Sequence, residues 1–488
     1  MLPILLIHGY SSEGENTTAK EIYGKLPALL KKEFGKGKIE ELNLSRWISL
    51  NDGVSLDDAS FAMDRALKAD YAHLLKSGFH VIIHSTGALV VRNWIKQTNL
   101  RPNPINNLVH LAGANFGSGL AHIGKGQASR WGRFIFTGNH SGTKVLNELE
   151  FGSWKTLDLQ LHFLQPGHDM YHDYEIQEFC FNGSQTFAGK LKDVMGVIPI
   201  RYVKEDSSDN TVRTSSCNLN FNRIAVTPSV KAEKLSPRTL QKMMQKRENN
   251  TPLPYDHYEY NLEGLSTQRT PVPFAVLFET AHFGADIGIV DGTENRSYIL
   301  PKIKAALETP RDIDAYKAMG KTFSNITKDT LKKAAKLKKN LLNWNRQNQY
   351  EGHSQLIFRL KDQFGNDVKN YDITFNSFTD TGNANALEKM IQDKYINSIN
   401  PGTTTYYLRT MTYENKKWNN LLDDVTPVGI EITAYEPDSA DLIAYVPLNI
   451  ELDGDHLRNA LQTFSTTVID ITLMRLPKKE VFAIETSA

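Results

Sequence analysis

Three polar residues fall in an order that could run acyl transfer: Ser85, Asp209 and His282. A serine hydroxyl is a poor nucleophile at its ordinary pKa, so it needs a histidine to take its proton and a carboxylate to orient that histidine. In hydrolases that carry the serine on a strand-to-helix turn, the acid and then the histidine follow it along the chain. Ser85 sits in Ile83-His84-Ser85-Thr86-Gly87, after the apolar run FHVIIH (79–84) and before ALVVRNWIKQ (88–97). That setting predicts a tight turn that lifts the hydroxyl above a sheet, with Gly87 letting the following helix pack close. The first glycine of G-x-S-x-G is replaced by Ile83, so the setting counts for more than the letters.

The acid falls within residues 205–212, which contain two aspartates. Ser208-Asp209-Asn210-Thr211-Val212 resembles the S-D-G-x-V loop that carries the acid in many lipases, and asparagine tolerates the left-handed turn of the missing glycine. Asp209 is therefore preferred to Asp206, a solvated acidic turn being the plain alternative. For the base, His282 follows the strand-like PFAVLFE (273–279) and precedes a helical stretch; its rival, His257, follows the polar, Lys-rich stretch 231–251. The first apolar run, LPILLI (2–7), ends at His8-Gly9-Tyr10, where lipase-like hydrolases place an oxyanion-hole donor. The backbone N–H groups of Tyr10 and Thr86 are the expected pair of donors. His8 itself reads as structural. The chemistry needs no metal and no cofactor.

These residues require a framework. Apolar runs at 2–7, 79–84, 108–113, 178–183 and 273–279 read as buried parallel strands, and Ser55 with Asp58 forms a capping-box start for a helix through Tyr71. Strand alternating with helix predicts an α/β-hydrolase domain over 1–308 with a mostly parallel sheet. A lid-like region at about 120–175 holds Trp131, Phe134, Phe136, Trp154 and Phe163, and an insertion spans about 231–260. Its aromatics suit an acyl-chain pocket, although each singly reads as core. Residues 309–351 turn helical and Lys-rich, predicting a linker helix with Leu331, Ala335, Leu341 and Leu342 on one side. After Gly352 short alternating segments separated by turns, one at Phe364-Gly365-Asn366, predict an all-β sandwich-like domain over 352–488.

With 56 Lys and Arg against 55 Asp and Glu, the net charge of +1 gives no global field to attract nucleic acid. Two cysteines, Cys180 and Cys217, do not make a disulfide framework. The N-terminus lacks a basic n-region, so it reads as a strand and not a signal peptide, and no run is long enough for a membrane-spanning helix. Two other patterns are weak. Gly117-Ser118-Gly119 suggests a dinucleotide loop, but the third glycine position holds His122; His168 and His172 have metal-ligand spacing only if helical.

Together HSTGALVVRNWI (84–95), LAGANFGS (111–118), SSDNTV (207–212) and AHFG (281–284) resemble the PlaB-type bacterial phospholipases A. The resemblance covers most of the chain, tightly around Ser85 and loosely at the C-terminus; Asn210 in place of glycine and the insertion before the histidine depart from it. It implies cleavage of phospholipid and lysophospholipid acyl esters by Ser85, Asp209 and His282, peripheral membrane contact, a homo-oligomer, and a cytoplasmic or membrane-associated bacterial location. A neutral-lipid lipase or thioesterase shares the same triad. A lapsed hydrolase scaffold that binds membrane or protein is the rival from another class.

Overall fold

The computed structural model describes residues 1–8, 22–49, 51–119, 143–185, 205–230, 238, 258–263, 266–267, 270–293, 295–337, 346–379, 386–423, 425–439 and 442–477. Its first sheet contains β1 (Ile4–His8), β2 (Ile39–Asn43), β3 (Phe79–His84), β4 (Ile105–Leu111), β5 (Gln177–Gly183) and β9 (Phe274–Leu277) in the order β2-β1-β3-β4-β5-β9. Every neighbouring pair is parallel. The near-continuous apolar strands follow from that arrangement, because helices cover both faces and leave none for water. Leu5, Ile7, Val81 and Ile83 point into one core and Ile4, Leu6 and Ile82 into the other.

On the first face lie α2 (Leu56–Ala69), α3 (Ala72–Ser77), α4 (Gly87–Thr98), α5 (Thr143–Leu149) and α6 (Trp154–His162). The expected capping box starts α2: Ser55 Oγ accepts from the Asp58 N–H, and the Ser55 N–H donates to Asp58 Oδ2. On the second face lie α1 (Leu26–Phe34), α8 (Arg296–Glu308) and α9 (Ile313–Ala334). Helix α9 occupies the stretch read as a linker, but it buries Tyr316, Phe323, Thr330 and Ala334 in place of the Leu331 side. Tyr316 donates to the Glu178 carbonyl and Thr330 to that of Val276, which ties α9 to β5 and β9. Leu341 and Leu342 lie outside the described residues, as do Trp131, Phe134 and Phe136. Among the other aromatics of the lid-like stretch, Phe163 is buried beneath the Arg92 guanidinium, and Trp154 donates to Thr403.

The second part is a β-sandwich. Its larger sheet has the path β12 (Ile391–Ile396), β13 (Thr403–Glu414), β10 (Gly352–Asp362), β18 (Thr466–Leu473), β6 (Asn222–Val230) and β7 (Tyr258–Leu262), with β14 (Lys417–Asn420) and β8 (Ser266–Thr267) off the path. The smaller sheet is β11 (Tyr371–Thr379), β15 (Val425–Ala434) and β17 (Leu448–Leu452); β16 (Ile443–Tyr445) pairs with β19 (Arg475–Pro477). Phe358, Leu408 and Ile471 meet Phe375, Ile430 and Ile450 in the core between the sheets, which α10 (Gly454–Ala460) flanks with Leu457 and Ala460, whereas α7 (Thr214–Cys217) gives Cys217 to the α/β core. Alternate side chains of the larger sheet, Ile357 and Val468 among them, instead pack on Phe116 and Leu157 of the α/β part. One strand crosses the division that the sequence suggests: β6 leaves the run of α/β strands and pairs in parallel with β18. No helix among the described residues is long and apolar enough to cross a membrane.

Candidate active site

Ser85 joins β3 to α4 at a φ of 54°, in the left-handed region. Holding a residue other than glycine there costs roughly 1–3 kcal/mol and persists only where the surroundings over-determine it. Here the Ser85 N–H donates to the Leu111 carbonyl, and its own carbonyl accepts from the N–H groups of Ala88 and Ala114, each at 3.2 Å. The hydroxyl therefore stands at the N-terminus of α4, whose dipole favours negative charge nearby. The expected close approach at Gly87 is relocated: a Cβ there would meet Ile83 Cβ at an ordinary 3.5 Å, whereas at Gly113 it would meet Ala88 Cβ at 3.0 Å.

Asp209 is fully buried, and three N–H donors converge on its carboxylate. Thr211 and Val212 donate backbone N–H groups to Oδ1 at 3.0 and 2.7 Å, and His282 Nδ1 lies 2.9 Å from Oδ2. Asn210, at a φ of 84°, takes the left-handed place of the lipase glycine. His282 arrives from β9 through a turn in which its own N–H donates to the Asp209 carbonyl at 2.9 Å, and its Nε2 lies 3.0 Å from Ser85 Oγ. The loop beyond is pinned where the Gly284 N–H meets both oxygens of Asp291. Gly183 makes room for this crossing, since a Cβ there would sit 2.0 Å from the Thr280 carbonyl oxygen and 3.2 Å from Asp209 Cβ.

The structure thus brings Ser85, His282 and Asp209 into one continuous line of contacts. Thr86 follows the turn as the N-cap residue of α4. Tyr10 and the rival base His257 lie outside the described residues. His168 and His172 are not helical: the first contacts Arg101 and Tyr174, the second Thr270.

Sequence reading passed over His84. Its ring tilts against that of His282 with centroids 4.5 Å apart, and its Nε2 lies 3.2 Å from the His282 carbonyl oxygen. Burial, and then the neighbouring His282, hold its pKa well below the usual value, so the ring is neutral and its Nε2 carries the proton given to that carbonyl. Its position directly before the serine was the available signal.

Asp206, the other acid candidate, faces a different partner set. Burial first, then Glu351 and more weakly Glu205, push its carboxyl up to about 7 against the pull of Arg409. Its unfolded value is about 3.9, so the native state holds an extra proton between roughly pH 4 and 7. The stability linked to that proton is complete below the unfolded value and is lost as pH rises through the folded one. Asp206→Asn, which fixes a neutral side chain, is expected to raise Tm by about 1–3 °C near pH 8 and to change little near pH 4. Calorimetric melts at the two pH values check this; an equal shift at both removes the linkage.

Fold and site together describe an α/β-hydrolase with a β-sandwich docked beneath its acid loop. No protein-family model matches the chain, and neither does any curated protein sequence. Among solved structures, phospholipase PlaB from Legionella pneumophila in complex with thio-NAD superposes with a TM-score of 0.77 at 24% identity, covering 100% of this chain and 97% of that one. A second structure of Legionella pneumophila PlaB gives 0.76 at 25% identity with the same coverage. The likeness read around Ser85, Asp209 and His282 thus extends to the PlaB-type architecture of the whole chain.

Proposed function

We propose that this chain is a serine ester hydrolase that cleaves the acyl esters of phospholipids and lysophospholipids. The observation that carries the reading is the unbroken contact from Ser85 Oγ to His282 Nε2 at 3.0 Å and from His282 Nδ1 to Asp209 at 2.9 Å. Ser85 attacks the ester carbonyl while His282 takes its proton, and Asp209 keeps Nδ1 protonated and stabilises the imidazolium. The oxyanion is received by the backbone N–H groups of Thr86 and Tyr10. Collapse of the tetrahedral intermediate breaks the ester C–O bond, and His282 returns the proton to the departing alcohol oxygen. Water, activated in turn by His282, then hydrolyses the acyl-serine to free fatty acid and Ser85.

The lipid class rests on the end-to-end likeness to PlaB, as do peripheral membrane contact and assembly into a homo-oligomer. The test presents diacyl phospholipid, lysophospholipid, triglyceride and acyl thioester in matched micelles and measures fatty-acid release. Release from the first two with kcat/KM at least tenfold above the others is expected. Preference for triglyceride or thioester would move the chain to another substrate class, and release from none would leave a scaffold without this chemistry.

A further inference from the structure

The acid of the triad sits on a turn whose two arms are both held from the β-sandwich. Residues 207–214 form the turn: Ser208 bridges Arg213, the Thr214 N–H donates to the Ser207 carbonyl at 2.9 Å, and that of Asp209 donates to Val212 at 3.2 Å. On one arm, Tyr407 Oη of β13 lies 3.0 and 3.1 Å from the carbonyl oxygens of Asp206 and Ser207 and shares its single proton between them. On the other arm, the Arg213 guanidinium lies over the same Tyr407 ring at 4.1 Å and over Phe151, from the α/β part, at 4.3 Å. His353 of β10 stacks on Tyr407 with ring centroids 4.5 Å apart and planes at 13°. Glu205 and, from β12, Asp393 pair with the guanidinium, at 2.7 and 2.6 Å from Arg213 Nη2.

We propose that Arg213 and Tyr407 are positioning residues through which the docked β-sandwich sets the place of Asp209, so that the triad is complete only with the sandwich seated. Both side chains are almost wholly buried, at 1% and 2% exposure, so neither meets substrate; they act through the turn. A buried guanidinium between two rings and two carboxylates has one well-defined position, and Asp209 lies four residues from it. Misplacement of a reacting group by about 1 Å can cost on the order of 10²-fold in rate, so a slackened turn is read in turnover. The proposal rests on the reading of Ser85 as nucleophile.

The test uses the full-length chain. Tyr407→Phe keeps the ring and loses the grip on the two carbonyls, and Arg213→Lys keeps the charge and loses the planar stack. Each is expected to lower kcat for lysophospholipid hydrolysis about tenfold with KM within about twofold. The downfield proton resonance between His282 Nδ1 and Asp209 should shift or broaden in both. Thr403→Val is the comparison, since it removes a different bond across the same docking surface, Trp154 Nε1 to Thr403 Oγ1 at 3.0 Å. It is expected to lower Tm and leave kcat and the proton resonance unchanged. Wild-type kcat and an unmoved resonance in Tyr407→Phe would overturn the proposal, whether or not Arg213→Lys folds; so would an equal loss of kcat in Thr403→Val. If the wild-type chain hydrolyses no ester and takes no fluorophosphonate label, the reading of Ser85 has failed, and the resonance alone still decides the clamp.

Discussion

Ser85→Ala is expected to lower kcat for ester hydrolysis by roughly 10⁵–10⁶ and to abolish fluorophosphonate labelling, while Tm stays close to wild type. The rate effect is large because the substitution removes the atom that bonds to the acyl carbon and leaves His282 no proton to take. The stability effect is small because alanine has the same Cβ as serine. The left-handed turn at φ 54° is imposed by the backbone bonds to Leu111, Ala88 and Ala114, and the substitution leaves all three in place. Mass spectrometry of the labelled wild-type chain locates the modified residue. Label on any serine other than Ser85, or hydrolysis retained by Ser85→Ala, would end the assignment.

Asp209→Asn is expected to cost on the order of 10⁴ in kcat with little change in KM. The reason can be read atom by atom. Oδ1 accepts the N–H groups of Thr211 and Val212, so an asparagine there must keep its oxygen on that side and turn its NH₂ toward His282. Nδ1 then becomes the acceptor, Nε2 carries the proton, and the imidazole can no longer deprotonate Ser85 3.0 Å away. His282→Ala is expected to fall at least as far, and His257→Ala to stay within twofold. Asp206→Asn, next to the loop but paired with a different set of charges, is expected to keep its rate; parity of the two asparagine variants would contradict the assignment of the acid. Initial rates on a short-chain ester, with KM measured for each variant, make the comparison.

What the sequence disclosed was local. The β-branched strand before Ser85, the Ser55–Asp58 box and the left-handed preference of Asn210 each depend on residues a few positions apart, and each has its counterpart in the structure. What it concealed depends on distant partners. Nothing in the residues of β6 tells that its neighbours are β18 and β7 instead of the strands preceding it. The Lys-rich register points to Leu331, whereas α9 buries Tyr316, Phe323 and Thr330, of which the tyrosine and threonine give hydroxyls to β5 and β9. Close packing was sought at Gly87, inside the motif, and lies at Gly113, on the next strand's loop. Arg213 reads in sequence as an ordinary charged residue after a turn; its partner ring is Tyr407, which no spacing rule connects to it.

The seat of β6 also sets a timetable. It pairs in parallel with β18, whose residues 466–473 leave the ribosome after every other strand of the larger sheet. A nascent chain that has completed β1 to β5 and even delivered His282 still lacks the strand against which β6 is registered and the sheet that grips the acid turn. Such a chain holds the parts of a hydrolase without their assembly, because long-range pairing waits for its far partner. On the proposed reading, Ser85 gains its complete triad only after β18 has been made, and a chain cut short between β9 and β18 is expected to be inactive.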